Sequence, residues 1–379
     1  MTTQFSALNI RAIYCLLLMF LGNITAFSQT IILSEKTQVS VLTCDSGIQL
    51  HSLFGHTALR INDPVNGFDA VYNFGYFDFN TPNFYLKFVK GDMKYFAAVD
   101  SFENFMPEYV YLQRGVYEQY LNLSQIQMQH IFDDLNQILQ SDKKFYTYKF
   151  IDRNCTTMVV DLINKNIDNK ISNKIKAQSD TNREILYGYL NNHFYEGLGI
   201  NIIFGAKADR KFTNIFLPMQ FLEGLQLSKN QNAKLVSATK TLNPHSASQP
   251  FSIWNNCYSL ILFLAIIVVA NKRWLTISYF TLTGIIGILL FSVAFYSFHE
   301  EVHSNYNIFL FNPLYIFLAL SIARNLKKTG IIIVYIITAT LVCYTIYISG
   351  KPFFIMFLPF IIANSILLYK VNKTLRLKD

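Results

Sequence analysis

The change of composition at Ile253 constrains the fold more than any other feature of this sequence. From Ile253 onward the chain consists largely of long apolar runs that contain few charged residues. Runs of about 20 apolar residues can cross a bilayer as helices, in which every backbone polar group finds an intrahelical partner. We therefore predict an all-α membrane domain over 253–370, preceded by a polar domain of a different kind.

Charged residues between the apolar runs predict how the membrane domain is oriented. We predict five transmembrane helices, at about 254–270, 275–298, 306–323, 329–349 and 352–369. The first and third connections and the C-terminal end are basic, through Lys272, Arg273, Arg324, Lys327, Lys328, Lys370, Lys373, Arg376 and Lys378. The other two connections carry only Glu300, Glu301 and Lys351. By the positive-inside rule, the tail 371–379 is cytoplasmic and the N-terminal domain is exported.

The composition indicates a membrane protein rather than a nucleic-acid-binding protein. Hydrophobic residues make up 52% of the chain and charged residues only 15%, which is too apolar for an ordinary soluble protein. Of the net charge of +8, residues 251–379 contribute +7, from ten Lys and Arg against three acidic residues. The basic charge therefore belongs to the membrane domain, and we expect no nucleic-acid partner.

The N-terminus has the pattern of a secretory signal peptide over 1–28. Arg11 precedes the apolar stretch IYCLLLMFLG, and AFS before Gln29 fits a small-residue cleavage site. This apolar core is shorter than the roughly 20 residues of a transmembrane helix, although an uncleaved anchor is an alternative. In both cases the domain that follows is exported. Cys15 lacks the small preceding residue of a lipoprotein cleavage site, so we do not predict a lipoprotein.

Residues 29–225 alternate between strand-like and helix-like patterns, which predicts an α+β domain. TQVSVLTC, LFGHTALRI and FDAVYNFGYFDF, separated by turn-forming residues, are typical of paired antiparallel strands. LSQIQMQHIFDDLNQIL, with Ser124 as N-cap, and CTTMVVDLINKNI have the apolar spacing of helices. Residues 226–252 are rich in Ser, Asn, Gln and Lys, and this composition predicts a linker.

Cys155 is the strongest candidate for a nucleophile in the polar domain. Asp152 or Asn154 can cap the helix that begins here, and the thiol then lies in its first turn. The helix dipole and the free N–H groups of that turn favour a thiolate. A structural role, or a disulfide with Cys44, is the alternative, because these two are the only cysteines of the polar domain.

A thiolate nucleophile needs a base, and His56 is the best placed histidine of the polar domain. It lies in the strand-like stretch FGHTALRI, where Gly55 leaves room for close approach. A single histidine in a strand can equally be structural. The remaining histidines of the polar half are His51, His130, His193 and His245.

HEEVH, from His299 to His303, raises the possibility of a zinc site. It matches H-E-x-x-H, in which two imidazoles on one helix face bind zinc and the glutamate acts as base. The motif lies at the end of a predicted span, Asn305 and Asn307 soon follow, and no third ligand is evident. We therefore keep zinc hydrolysis as an alternative and predict no metal and no cofactor.

Tyr and Phe are unusually dense in NFYLKFVKGDMKYF and in FENFMPEYVYLQRGVYEQY. One explanation is packing in the core of the polar domain. The other is a domain that rests on the bilayer surface, with Arg114 or Lys87 against a phosphate group. The sequence favours neither explanation.

In its ordered motifs the chain resembles the periplasmic domain of the Lnb-type lipoprotein N-acyltransferases of the Bacteroidetes. These motifs are LTCDSGIQLHSLFGHTALRI, AVYNFGYFDFNTPNFYLKFVKGDMKY, QRGVYEQYLNLS, DRNCTT and GAKADRKFTNIFLP. The apolar half, including SFHEEVHSNYNIFLFNPL, resembles the membrane domain of that family. A histidine strand ahead of a cysteine helix is similar to permuted papain-like enzymes, such as lecithin:retinol acyltransferase and NlpC-type hydrolases. The resemblance implies an α+β permuted papain-like periplasmic domain followed by a bundle of five transmembrane helices.

The resemblance also implies an activity at the inner membrane, namely transfer of a fatty acyl chain from a phospholipid to the N-terminal amine of a lipoprotein. Cys155 then matches the nucleophile and His56 the base. Asn73 is the first choice to orient His56, and Asp78 is the second. We expect substrate to contact Arg60, Tyr72, Arg114, His299 and Asn305. The alternatives are a Cys-His hydrolase of cell-wall peptide or lipid, and a non-catalytic membrane scaffold.

Overall fold

The computed structural model describes residues 31–78, 80–190, 192–246 and 251–377. The predicted signal peptide 1–28 lies outside the described residues, as does the end of the predicted cytoplasmic tail. Within the described residues, an N-terminal α+β domain is followed by a helical region.

A seven-stranded antiparallel sheet forms the centre of the N-terminal domain. Its strands are β1 (Gln38–Cys44), β2 (His56–Asp63), β3 (Phe68–Tyr76), β4 (Lys94–Ser101), β5 (Val116–Leu121), β6 (Phe145–Thr147) and β9 (Val236–Asn243), and two short strands, β7 (Lys229–Asn230) and β8 (Ala233–Lys234), form a separate pair. The order across the sheet is β6-β4-β3-β2-β1-β5-β9. The central position of β1, β2 and β3 explains their apolar sequences, since both faces of these strands are covered.

Helices of the N-terminal domain pack on both faces of this sheet, and one of them, which contains Leu198, packs instead against the helical region. They are α1 (Phe84–Lys90), α2 (Phe102–Tyr111), α3 (Gln125–Leu139), α4 (Cys155–Asn166), α5 (Asn182–Tyr187), α6 (Phe194–Ile203) and α7 (Pro218–Leu227). Apolar residues of α3, α4 and α7 pack on one face, against side chains such as Val41 and Leu59. Helix α2 covers the other face with Phe105 and Tyr109. This arrangement places the first residue of α4 beside the ends of β2 and β3.

The predicted linker 226–252 is largely part of the folded domain. Strand β9 pairs with β5 along the outer edge of the sheet, and β7 and β8 precede it. Edge strands tolerate polar and charged residues because one side faces solvent. The side chains of β9 are mostly exposed, which is why its composition resembles that of a linker.

The helical region contains α8 (Cys257–Ala270), α9 (Arg273–Tyr296), α10 (Leu314–Ala323), α11 (Lys327–Ile348) and α12 (Phe354–Arg376). Four segments of the described chain are long and apolar enough to cross a membrane: Arg273–Tyr296, Glu300–Ala323, Lys327–Ile348 and Phe354–Arg376. The second of these combines two 3-10 turns with α10. Helix α8, at the first predicted span, has 14 residues and is shorter than these four.

A buried ion-pair cluster joins the two parts of the chain. Asp209 accepts hydrogen bonds from Arg183 (2.6 Å) and, across the junction, from Tyr306 (2.7 Å) and Lys351 (2.7 Å). The guanidinium of Arg183, only 2% exposed, also lies 4.7 Å from the ring of Phe353. A buried charge of this kind is tolerated only when it is fully paired. The cluster therefore fixes how the N-terminal domain sits on the helices.

Close packing inside the bundle depends on a glycine of α9. A Cβ at Gly287 would lie 1.7 Å from the carbonyl oxygen of Phe311, so any side chain must push α9 away from the segment before α10. We predict that Gly287→Ala lowers the free energy of unfolding by about 1–3 kcal/mol, as overpacking does elsewhere. The melting temperature of the detergent-solubilised protein measures this effect.

The matched control is Gly199→Ala in α6, where an added Cβ meets nothing within 4 Å. This substitution should leave the melting temperature unchanged or raise it, because alanine favours a helix over glycine by about 1 kcal/mol. Equal melting temperatures for the two variants would contradict the packing described for α9.

Candidate active site

Cys155 is the first residue of α4, and Asn154 caps this helix. The side-chain oxygen of Asn154 accepts the backbone N–H groups of Thr156 (2.9 Å) and Thr157 (3.0 Å). Its amide nitrogen donates to the carbonyl oxygens of Phe150 (2.7 Å) and Phe216 (2.9 Å). The buried amide is thus satisfied on both sides, which fixes the start of the helix and the position of the thiol. Of the two predicted caps, the structure uses Asn154.

His56, the first residue of β2, lies against this thiol and is held by Asn73. The histidine Nε2–H donates to Asn73 Oδ1 at 3.1 Å, while the Asn73 amide nitrogen points to the carbonyl of Val71 (3.4 Å). With Nε2 bound to Asn73, Nδ1 is the ring nitrogen left to interact with Cys155, and this interaction raises the pKa of His56 and lowers that of the thiol. Asn73 is 2% exposed, so the orienting contact is shielded from water.

Gly75, at an irregularity in β3, allows the thiol to approach the strand. Its φ is +113°, a conformation that side chains disfavour, and its Cβ position lies 3.8 Å from the Cβ of Cys155. The strand pairing shifts between Phe74 and Tyr76, as a bulge would cause. The irregularity thus opens the end of β3 for the sulfur atom.

The electrostatics of the pair favour a thiolate and an imidazolium. Burial raises the pKa of the Cys155 thiol, but the charge and hydrogen bond of His56, with further hydrogen bonds from the Thr57 backbone and from Thr156, outweigh burial and lower the pKa. Burial likewise lowers the pKa of His56, but the Cys155 thiolate and Asn73 raise it above its ordinary value of 6.5. Each partner therefore stabilises the charged form of the other.

Cys44 is adjacent to the pair but differs from Cys155 in its environment. It lies at the end of β1, directly across from His56, and is fully buried. Burial raises the pKa of its thiol to about 12, despite a hydrogen bond with Tyr109. Both thiols are free in the structure, so the alternative of a Cys44–Cys155 disulfide is not realised. Cys44 stays protonated and cannot compete as nucleophile at neutral pH.

Two of the residues predicted to contact substrate, Arg60 and Tyr72, instead make contacts within the N-terminal domain. Arg60 forms ion pairs with Asp69 (2.6 Å) and Glu118 (2.9 Å) and stacks 3.4 Å from the centre of the Phe102 ring. It also lies four residues along β2 from His56, about 13 Å at strand spacing. Tyr72 is buried in the main core of the domain. Neither side chain is available to a substrate in this structure.

The other three predicted contacts lie around the site or at the domain junction. Arg114 donates twice to the carbonyl of Asp45, at 3.0 and 2.8 Å, and thereby supports the segment after β1. Asn305 donates to the carbonyls of Ile202 (2.9 Å) and Ile203 (2.8 Å) at the end of α6. His299 donates to the carbonyl of Phe88 at 3.0 Å. These contacts position segments of the chain, and none of the three touches Cys155.

The zinc alternative at HEEVH is wrong in its geometry. Glu300–Val302 form one 3-10 turn instead of an α-helix, so the two histidines do not share a helix face. His299 donates to Phe88 as above, and His303 donates to the carbonyl of Ser297 at 2.7 Å. Across the described residues, no group of three or more His, Cys, Asp or Glu is arranged to hold a metal ion.

Sequence reasoning missed several residues that shape the site. The hydroxyls of Thr57 and Thr156 lie 3.0 Å apart, and the Thr57 backbone and the Thr156 side chain help to lower the pKa of the Cys155 thiol. The carboxylate of Glu301 accepts the N–H of Ile151 at 3.0 Å, so a residue of the helical region supports the loop before α4. Thr57 follows His56 and Thr156 follows Cys155 in the sequence, and this adjacency could have indicated that both threonines lie at the site. Nothing local in the sequence connects Glu301 with a residue 150 positions earlier.

Comparisons with known proteins identify both parts of the chain. A family model described as the Lnb N-terminal periplasmic domain matches residues 26–188, which include Cys155, His56 and Asn73. A second model, described as the Lnb transmembrane domain, matches residues 243–378. No curated protein and no solved structure matches the chain.

The electrostatics of the pair predict an unusual pH dependence of alkylation. Because the pKa of the Cys155 thiol lies below its ordinary value of 9.0, reaction with iodoacetamide should remain fast as the pH falls below 9.0. In His56→Ala the imidazolium is absent, so the midpoint of the alkylation profile should move to higher pH. Mass spectrometry of the peptide that contains Cys155 gives the rate at each pH. An identical midpoint for Cys155 with and without His56 would contradict the pairing.

Proposed function

This chain belongs to the Lnb family, and from this premise we propose that it is a membrane-bound thiol acyltransferase of lipoprotein maturation. It moves a fatty acyl chain from a phospholipid to the N-terminal amine of the lipidated cysteine of a lipoprotein. The family points to a membrane-associated lipoprotein-processing protein, and the observation that carries the specific reaction is the set Cys155–His56–Asn73. We also assign the domain to the permuted papain-like class, because a histidine strand precedes the cysteine helix.

The first half-reaction loads the enzyme. The Cys155 thiolate attacks the carbonyl carbon of a phospholipid ester, and a tetrahedral intermediate forms. The N–H of Cys155, which is not among the groups that Asn154 binds, is the donor we assign to the developing oxyanion. The bond to the glycerol oxygen then breaks, His56 gives its proton to that oxygen, and a lysophospholipid leaves. The acyl chain remains as a thioester on Cys155.

The second half-reaction discharges the thioester. The neutral amine of the lipoprotein attacks the thioester carbonyl and loses a proton to the now neutral His56. The reference pKa of an α-amino group is about 8, so an appreciable fraction of the lipoprotein amine is neutral near pH 7. The C–S bond breaks, the thiolate returns, and the product is an amide. The pair ends as thiolate and imidazolium, the state in which it began, and no step uses a cofactor.

The helical region anchors the enzyme in the membrane that holds both substrates. Both substrates are held in a membrane by their acyl chains, so a membrane-bound enzyme meets them at high local concentration. We assign the N-terminal domain to the periplasm, the helices to the inner membrane and the C-terminus to the cytoplasm. The junction through Asp209 and Glu301 keeps Cys155 at a fixed distance from the lipid surface.

Removal of the thiol tests the proposal directly. We expect Cys155→Ala and Cys155→Ser to abolish N-acylation, while both variants accumulate in the membrane at wild-type levels, since residue 155 is at the surface of the core. Mass spectrometry of the N-terminal peptide of a lipoprotein provides the readout. Cys343→Ala, which removes an exposed thiol of α11, is the matched control and should retain activity. Full N-acylation by Cys155→Ala would rule out the mechanism.

Removal of the base should leave a weaker but measurable enzyme. General acid-base catalysis contributes about 10²–10⁴-fold, and His56→Ala should lose a factor in this range. Asn73→Ala should lose less and should shift the pH profile of activity, because the imidazole is then present but no longer oriented. Single-turnover formation of the Cys155 thioester, followed at several pH values, measures both effects.

The hydrolase alternative uses the same residues and differs only in the acceptor. Purified enzyme acylated by phospholipid alone distinguishes the two functions. An acyltransferase retains the thioester until an amine is added, whereas a hydrolase releases free fatty acid to water. Rapid loss of the thioester in buffer, unaffected by a lipopeptide amine, would favour the hydrolase.

A further inference from the structure

Helix α1 presents apolar side chains on the outside of the N-terminal domain. Leu86 is 70% exposed, Phe88 48% and Val89 46%, within one helix of seven residues. Clustered exposed apolar residues of this size are uncommon on the water-facing surface of a protein, and they mark a surface that contacts another apolar phase. The same helix carries Lys87 and Lys90, whose long side chains can reach from an apolar layer to the head groups.

Three hydrogen bonds attach the last turn of α1 to the end of the membrane helix α9. The carbonyl of Lys90 accepts the N–H of Phe298 at 2.6 Å, and that of Val89 accepts the hydroxyl of Ser297 at 2.8 Å. The carbonyl of Phe88 accepts the ring N–H of His299. The bonds to Val89 and Lys90 use carbonyl groups that a helix end leaves unpaired, and the carbonyl of Phe88 accepts the N–H of Gly91 as well. They hold α1 at the level where α9 leaves the bilayer.

The contact between α1 and the membrane helix is close because Gly91 follows α1. Its φ is +73°, and a Cβ there would lie 2.9 Å from both the backbone nitrogen and the ring of His299. Only glycine satisfies both the conformation and the spacing. The close approach of α1 to the end of α9 therefore requires glycine at position 91.

The exposed surface of α1 continues the lipid-facing surface of α9. Phe295, Tyr296 and Phe298 are all exposed at the end of that helix, and Lys90 lies 5.6 Å and 5.3 Å from the rings of Tyr296 and Phe298. Tyr and Lys side chains are typical of the membrane–water interface. The exposed apolar surface at the end of α9 therefore continues onto Leu86 and Val89 of α1.

A row of aromatic rings leads from α1 toward the interior of the N-terminal domain. Successive ring centres are 6.4 Å apart from Phe88 to Phe84, 5.9 Å to Phe77, 5.2 Å to Tyr95 and 4.6 Å to Tyr148. We call these five residues the aromatic row. Their rings form a continuous series of contacts from the exposed Phe88 to the buried Tyr95 and on to Tyr148, and aromatic faces of this kind suit contact with a fatty acyl chain.

The aromatic row ends beside the thiol. The Cβ position of Gly75 lies 3.8 Å from the Cβ of Cys155, and Gly75 is two residues before Phe77 of the row. Tyr148 and Cys155 also pack against the same main core of the N-terminal domain. The row thus joins the lipid-facing helix to the nucleophile.

We propose that α1 is immersed in the outer surface of the bilayer and that the aromatic row carries the acyl chain of a phospholipid from there to Cys155. The chemical part of this inference rests on the proposed acyl transfer. The position of α1 in lipid is independent of that function. Two experiments separate these parts.

The first experiment locates α1 relative to lipid. In a variant without its own tryptophans, Trp254→Phe and Trp274→Phe, a single tryptophan is introduced as Leu86→Trp and the protein is reconstituted into phosphatidylcholine vesicles with brominated acyl chains. Brominated chains quench only indoles that enter the lipid, so we expect strong quenching at 86. The control is Val65→Trp, at the exposed turn after β2, at the opposite end of that strand from His56. Equal fluorescence of Leu86→Trp in brominated and ordinary vesicles would overturn the proposal.

The second experiment measures delivery of substrate. Thioester formation on Cys155 is followed with vesicle phospholipid and with the water-soluble p-nitrophenyl acetate. In Leu86→Asp the ratio of the two rates should fall by about tenfold, since the helix loses a buried apolar contact with lipid and gains a charge. Val65→Asp should keep the wild-type ratio.

The outcomes distinguish the inference from the proposed function. If wild-type Cys155 is acylated by both substrates and Leu86→Asp keeps the wild-type ratio, delivery along α1 is wrong while acyl transfer stands. If wild-type Cys155 is acylated by neither substrate, the proposed function is wrong, and the quenching at position 86 alone decides whether α1 lies in lipid.

Discussion

The buried amide of Asn154 is the interaction on which the candidate site depends. It accepts two N–H groups of the first turn of α4 and donates to carbonyls on two other segments, so that one side chain joins the helix, the preceding loop and the chain before α7. A helix start left without such a cap has unpaired N–H groups and frays. Fraying would move Cys155, the first residue of the helix, away from His56. The thiolate therefore owes its stability to a residue that takes no part in the chemistry.

The loop before α4 connects this capped helix to the membrane region. Lys149 and Arg153 pair with each other through two backbone hydrogen bonds, which close the loop. The carboxylate of Glu301 accepts the N–H of Ile151 inside it, and the backbone carbonyl of Glu301 accepts the N–H of Gly205. Glu301 is 1% exposed, and burial of a carboxylate is costly unless hydrogen bonds offset it. The contact therefore ties the loop before Cys155 to the helical region.

The sequence was enough to pair His56 with Asn73 at the candidate site, but it was not enough to describe the residues and strands around that site. His56 and Asn73 could be paired from the sequence because a hairpin places β3 beside β2, and alternation puts both side chains on one face. Asn154 could be recognised as a cap from its place before an apolar helical pattern. Arg60 could not be excluded as a substrate contact, because its partners Asp69 and Glu118 come from two other strands. The edge strand β9 has a polar sequence that composition cannot distinguish from a linker.

Two cysteines at the same end of the sheet show why residue type alone does not define a nucleophile. Cys44 lies across from His56 in the strand pairing, yet its sulfur is enclosed by Tyr109 and apolar side chains, and burial dominates its pKa. Cys155 is partly buried, and the charge and hydrogen bond of His56, together with the backbone of Thr57, outweigh burial and lower the pKa of its thiol. The difference arises from the neighbours of each sulfur: the charge and hydrogen bond of His56 act on Cys155 and outweigh burial, whereas nothing of that strength offsets the burial of Cys44. The low pKa of the Cys155 thiol therefore depends on His56 beside the helix start that Asn154 caps.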